Sequence, residues 1–243
     1  MGKKRWSIIF EDDHIIVIDK PAGMLSIPDR YREDIPNLLT SLRNHREEIF
    51  VNHRLDKDTS GIILYSKTAD AHAKFSALFE SRNIDKRYMA IVNGLPIEEV
   101  GLIELKITLS KNKRKQMVID QKGKLSVTKY RILETWKNFS LLELKIITGR
   151  MHQIRVHMKA INCPIICDST YGNEEGFFLS SIKRKYRRNK DVAERPLLSR
   201  MALHAHSLSF VHPFTKEETT LTSEMPKDMK AVIKQFGKIL GPK

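Results

Sequence analysis

Apolar and polar positions change period several times along the chain, and each change marks an element. "SIIF" and "HIIVIDK" are short strand-like runs around an acidic turn, closed by Pro21 and Gly23. The polar, proline-bounded stretch "IPDRYREDIPNLLTSLRNH" has room for one short helix around Leu38, Leu39 and Leu42. "IILYSK" reads as a buried strand. "TADAHAKFSALFES" then switches to helical spacing, with Ala71, Phe75, Leu78 and Phe79 on one stripe and Thr68 as N-cap. "KRYMAIVNG" and "LIELKITL" return to strand patterning. "KRKQMVID-QKGK-LSVTKYRIL" predicts a β-hairpin with Lys-Gly at its tip.

"SLLELKIITG" is a further strand running into "RMHQIRVHMKAIN", a helix whose Ile154, Met158 and Ile161 form one apolar stripe. Asn162 is placed to take a left-handed cap position, and Pro164 to stop the helix. "MALHAHSLSFVH" alternates like a half-buried strand. "DMKAVIKQFGKIL" is an amphipathic helix on Met229, Val232, Ile233, Phe236 and Leu240. Strands predominate and turns join most neighbours, which predicts an α+β fold on a mixed, mainly antiparallel sheet.

Charge adds a partner to this picture. Lys and Arg number 43 against 29 Asp and Glu, a formal net charge of +14. A surplus of that size favours polyanions, with nucleic acid ahead of an anionic membrane surface. No apolar run approaches the roughly 18 residues of a membrane span, and the N-terminal residues lack the apolar core of a secretory signal. Cys163 and Cys167 sit four apart with no second pair, which reads as two thiols in a reducing cytoplasm rather than a disulfide or zinc framework. Two segments concentrate the cations: the tip "SKNKRKQ" with Lys113, Arg114 and Lys115, and the insert "IKRKYRRNK" with Lys183, Arg184, Lys185, Arg187 and Arg188. A solvated loop is the default for such runs, and phosphate contact is favoured once the global charge is counted.

The candidate chemistry centres on "VNHRLDKDTSG", residues 51–61. Judged locally, Asp56 ahead of Thr59, Ser60 and Gly61 is more often a turn-capping acid than a reactive one. Tyr88 alone reads as a core aromatic, and Arg155 alone as a surface cation. His204 and His206 share a strand face. His152 and His157, about 140° apart around a helix, are not the same-face pair of a zinc hydrolase. The histidines therefore read as structural, and no metal site is expected.

Five strings weigh differently together. "HRLDKDTSG", "KRYMAIVNG", "GRMHQIRVHM", "CDSTYG" and "LHAHSLSFVHP" resemble, in order and over most of the chain, the RluA-type family of RNA pseudouridine synthases. The resemblance implies one catalytic domain over 1–243, with a core at about 8–215 and a C-terminal helix at about 227–240. Because the catalytic pattern begins almost at once, the expected form is the one without the N-terminal RNA-binding S4 module; the thiols point to the cytoplasm, and a monomer is the default. The implied reaction acts on structured RNA (tRNA, ribosomal RNA or both) and needs no cofactor: the bond from C1′ to N1 of a flipped uridine breaks, the uracil turns, and C1′ is rejoined to C5.

By the same resemblance Asp56 is the catalytic aspartate and Tyr88 stacks on the base and takes the C5 proton. Arg155 pairs with the aspartate, Arg54 fills the gap left by the flipped base, and Ile154 is the adjoining apolar wall. These residue types suit the chemistry, because a base acted on in RNA must leave its stack and a guanidinium can oppose the cost of burying a carboxylate. A single essential acid also separates this reaction from glycoside hydrolysis, which usually needs two. Asp58 is then a turn residue. The family's usual glycines are replaced by Asn162 and Cys167, and Cys167 is the harder change if positive φ is required there. The alternative is an RNA-binding or ribosome-assembly protein that has the fold without the activity.

Overall fold

The computed structural model describes residues 6–32, 34–46, 48–112, 116–172, 176–184, 186 and 193–241. Its elements in chain order are β1 (Ser7–Glu11), β2 (Ile15–Lys20), α1 (Leu38–Arg43), β3 (Phe50–Val51), β4 (Ser60–Ser66), α2 (Ala69–Glu80), β5 (Asp85–Asn93), β6 (Val100–Leu109), β7 (Met117–Ile119), β8 (Lys124–Trp136), β9 (Phe139–Ile146), α3 (Gln153–Ala160), β10 (Leu203–Val211), β11 (Glu218–Thr222) and α4 (Lys227–Ile239). The fold is α+β with mixed, mainly antiparallel strand pairing. The chain divides into two compact units, Met1–Tyr88 with His204–Glu224, and Met89–Leu203 with Met225–Lys243.

In the first unit the strands run in the order β1-β2-β4-β10, with β3 also on β4 and β11 on β10. Asp12 makes the tight β1–β2 turn by accepting the N–H groups of His14 and Ile15, both at 2.7 Å. β4 and β10 are parallel, with Ala205 opposite Gly61. Gly61 has φ +110°, and a Cβ there would lie 2.0 Å from the Ala205 carbonyl oxygen, so no other residue fits. The Thr68 hydroxyl caps α2 by accepting the Ala71 N–H, as its sequence predicts. Ala71 and Phe75 are buried along that helix, whereas Leu78 and Phe79 are half-buried.

The second unit carries the order β5-β9-β8-β6-β7. Here the expected hairpin is corrected. β7 and β8 are not neighbours: Ile107 of β6 stands between them, opposite Ile119 on one side and Lys124 on the other. The Asp120–Gly123 turn therefore carries the chain across the end of β6. A Cβ on Gly123 would come within 2.6 Å of the Ile107 backbone, which explains glycine at this crossing. The local pattern could not separate the two arrangements, since both need a turn at Lys-Gly.

α3 begins later than its apolar periodicity indicates. His152 sits in the left-handed region at φ 53°, and the helix proper starts at Gln153. The Gln153 side chain holds that start by accepting the Arg150 N–H and donating to the Val127 carbonyl and to Thr128. Asn162 takes the expected left-handed position at φ 57°. Cys167 also adopts φ 57°, so the loop keeps a glycine-like backbone with a side chain on it. α4 covers the unit's aromatic core: Phe236 stacks on Phe139 at 4.6 Å and meets Phe177 edge-on at 5.4 Å. Arg200 clasps Asp228 of α4 through bonds of 2.8 and 2.6 Å.

Candidate active site

Asp56 lies in the first unit on the turn that precedes β4, and the backbone on both sides of it is fixed. On the N-terminal side the buried Ser26 hydroxyl donates to the Leu55 carbonyl at 2.9 Å and accepts the Leu55 N–H at 3.0 Å. Ser26 is held in turn by the Tyr65 hydroxyl, which donates to its carbonyl at 2.8 Å. On the C-terminal side the Lys57 carbonyl accepts from Gly23 N–H at 2.8 Å and from Lys20 Nζ at 3.1 Å. Lys20 is fully buried, and its ammonium also gathers the carbonyls of Pro21 and Met24. Such charge-assisted bonds are stronger than neutral ones. The Asp56 carbonyl accepts the Thr59 N–H at 3.1 Å and closes the turn. Asp56 itself is half-buried, and Asp58 and Arg54 are exposed.

Tyr88 is buried on β5 in the same unit, within electrostatic reach of Asp56. Burial, reinforced by the Asp56 charge, pushes its phenol above the ordinary tyrosine range, so the hydroxyl stays protonated at neutral pH. Lys86, two residues earlier on the same strand face, is buried over the Phe79 ring, and burial next to the Arg82 charge lowers its pKa. His53 of the "HRLD" string has a structural task. Its Nε2 accepts the Leu64 N–H at 3.0 Å while its ring stacks on Phe79 at 4.6 Å. Desolvation, with the Lys86 charge, holds its pKa down at about 3, so the ring is neutral and remains an acceptor.

Arg155 and Ile154 lie on α3 in the second unit, and both are buried. The exposed position that Arg155 has when its string is read alone is thereby corrected. Its Nε and Nη2 donate to the two oxygens of Asp168 at 2.7 and 2.8 Å. Asp168 is fully buried and also accepts the N–H groups of Thr170 and Tyr171, so the whole carboxylate is occupied. The guanidinium packs over the Tyr171 ring at 4.9 Å, and the Tyr171 hydroxyl accepts the Met117 N–H at 2.8 Å and lies 3.0 Å from His152 Nδ1. Asp168 and Tyr171 hold the Arg155 side chain, and local sequence reading did not pick them out. Their only signal was the string "CDSTYG", in which the turn after Asp168 brings Tyr171 back towards α3.

The remaining histidines hold backbone and side chains in place. His204 bridges Ser60 Oγ at 3.1 Å and the Ser223 carbonyl at 3.1 Å, and His206 meets the same carbonyl at 2.9 Å. His157 is fully buried with Nδ1 at 2.9 Å from Thr128 Oγ1. Among the described residues no cluster of His, Cys, Asp or Glu is arranged to hold a metal ion, and neither Cys163 nor Cys167 is in a disulfide. No helix of the described residues is long and apolar enough to cross a membrane. Of the cationic candidates, Lys183 and Arg184 are exposed, whereas Lys113, Arg114, Lys115, Lys185, Arg187 and Arg188 lie outside the described residues.

A carboxylate on a turn of fixed backbone, within electrostatic reach of a neutral phenol, is suited to acid–base chemistry. Residues 14–160 match the family model described as RNA pseudouridylate synthase. The chain belongs to this family, in its RluA-type branch. It is similar to the ribosomal large subunit pseudouridine synthase D of Zymomonas mobilis, with 36% identity over 241 residues, covering 94% of this chain and 72% of the relative. The protein of that name from Pseudomonas aeruginosa is 37% identical over 227 residues, covering 91% of this chain and 68% of its own. Among solved structures, human RNA pseudouridylate synthase domain containing 1 aligns with a TM-score of 0.73 at 25% identity, over 100% of this chain and 91% of that one. The protein is thus an RNA pseudouridine synthase, and RNA is its partner.

Proposed function

We propose that this pseudouridine synthase isomerises uridines of large-subunit ribosomal RNA, acting as a cytoplasmic monomer with the whole chain as one catalytic domain. The names of the relatives, ribosomal large subunit pseudouridine synthases, favour ribosomal RNA over tRNA as substrate. Asp56 is the reactive carboxylate, and its clamped turn beside a buried Tyr88 is the observation that carries the reading. Tyr88 supplies an aromatic face for the extruded uracil. A neutral phenol can take the C5 proton only as it gives its own to a second base, and the Asp56 carboxylate, within electrostatic reach of Tyr88, is the acceptor in this reading. Arg155 is the cationic counterpart of Asp56, and its Nε and Nη2 edges are committed to Asp168, which fixes the plane of the guanidinium. Ile154 forms the apolar wall beside it. Arg54, exposed ahead of Asp56, enters the stack where the flipped base was.

The test uses large-subunit ribosomal RNA and tRNA fractions from cells that lack the gene, each incubated with purified protein and mapped for pseudouridine. New sites in the ribosomal RNA are expected. Sites confined to tRNA would overturn the substrate assignment and leave the chemistry intact.

A further inference from the structure

α4 carries a row of charge that the chemistry at Asp56 does not use. Its buried side chains, Met229, Val232 and Phe236, are fully enclosed in the second unit. Lys227, Lys230, Lys234 and Lys238 are exposed. At about 100° per residue the four lysines fall within an arc of roughly 80°, opposite the buried stripe. Asp228 is the helix's one acidic residue; it lies outside that arc and is clasped by Arg200. The row extends about 16 Å along the axis at about 1.5 Å per residue. That length spans several phosphates of one nucleic-acid strand.

We propose that the lysine face of α4 docks on the phosphate backbone of the substrate RNA, outside the segment that enters the catalytic centre. This rests on RNA being the substrate. Lysine ammoniums are compact point charges that bind phosphate without reading bases, so the face positions RNA and does not select sequence. A membrane fits poorly: the apolar face that a surface-bound helix inserts into lipid is here enclosed in the protein core. Because the face lies on a regular helix, its charges keep a fixed spacing that a flexible cationic loop lacks.

The test replaces Lys227, Lys230, Lys234 and Lys238 together by Gln, which keeps helix propensity, and follows binding of a large-subunit ribosomal RNA transcript across a salt series. Each lost phosphate contact lowers the slope of log affinity against log salt by about 0.7 to 0.9, so the four together lower it by about 3. The four Lys→Arg changes should preserve the slope. A matched variant removes the same charge from exposed Lys106, Lys122, Lys124 and Lys129 on β6, β8 and the turn before β8. An equal fall in the matched variant would reduce the effect to net charge and overturn the proposal. So would an unchanged slope in the α4 variant, a loss seen only on assembled ribosomal particles (a protein contact), or a loss seen only on phosphatidylserine vesicles. If the quadruple variant folds poorly, Lys234→Gln alone should lower the slope by about 0.7 to 0.9, and no change there would equally overturn it. Binding is read directly, so a protein that binds the transcript but forms no pseudouridine defeats the catalytic reading and not this one.

Discussion

Replacing Ser26 by Ala removes one hydroxyl that serves both backbone groups of Leu55, at 2.9 and 3.0 Å, next to the proposed reactive carboxylate. The site is buried, with Ser26 exposed by only 3%, so water does not replace the lost bonds without movement of the turn. Each buried polar group left unsatisfied costs about 1–3 kcal/mol. Partial relaxation of the turn offsets some of this, and a net loss of about 2–3 kcal/mol is expected. The same relaxation moves Asp56, because residue 55 is its direct neighbour while Lys57 stays tied to Lys20 and Gly23. Misplacement of a reacting group by about 1 Å can lower the rate roughly 100-fold. Ser26→Ala should therefore reduce kcat by about 10- to 100-fold, with KM for RNA changed less than about threefold. Urea unfolding gives the stability, and turnover at saturating RNA gives kcat. A variant that is less stable but keeps wild-type kcat would refute the positioning role, and one unchanged in both would refute the energetics as well.

Asp168→Asn leaves the buried Arg155 guanidinium without its bidentate countercharge, and a loss of about 3 kcal/mol or more in urea unfolding is expected; a change below about 0.5 kcal/mol would contradict the pairing. His157 gives a pH dependence, because desolvation holds its folded pKa at about 4 while the unfolded ring titrates near 6.5. Between those values the unfolded chain binds a proton that the folded chain refuses, so stability falls as pH falls. From pH 7 to pH 5 His157 should account for about 2 kcal/mol of lost stability, and that increment should be absent in His157→Gln.

What the sequence revealed divides along physical lines. Elements set by local pattern were legible: the Asp12 turn between β1 and β2, the Thr68 cap of α2, the left-handed Asn162 and the buried stripe of α4 all follow from neighbours in the chain. Pairing between distant strands was not. A turn at Gly123 is compatible with a hairpin and with a crossing over β6, and only the register of Ile107 decides between them. β3 and β11 escaped notice because one spans two residues and the other, "ETTLT", is too polar to signal a strand. At the site, Asp56, Tyr88 and Arg155 were singled out by the company of their strings. Their supports were not: Ser26 lies 29 positions from Leu55, and Asp168 lies 13 from Arg155. Such contacts leave no periodic trace, and a buried lysine such as Lys20 looks in sequence like any surface cation.

The central claim is that Asp56 carries out the isomerisation. Its most direct test is release of tritium from large-subunit ribosomal RNA labelled at uridine C5, comparing the wild type with Asp56→Asn. Isomerisation must displace the C5 hydrogen, so the wild type should release label in step with pseudouridine formed. Asp56→Asn should bind the RNA and release none. Equal release by the two proteins would contradict the account.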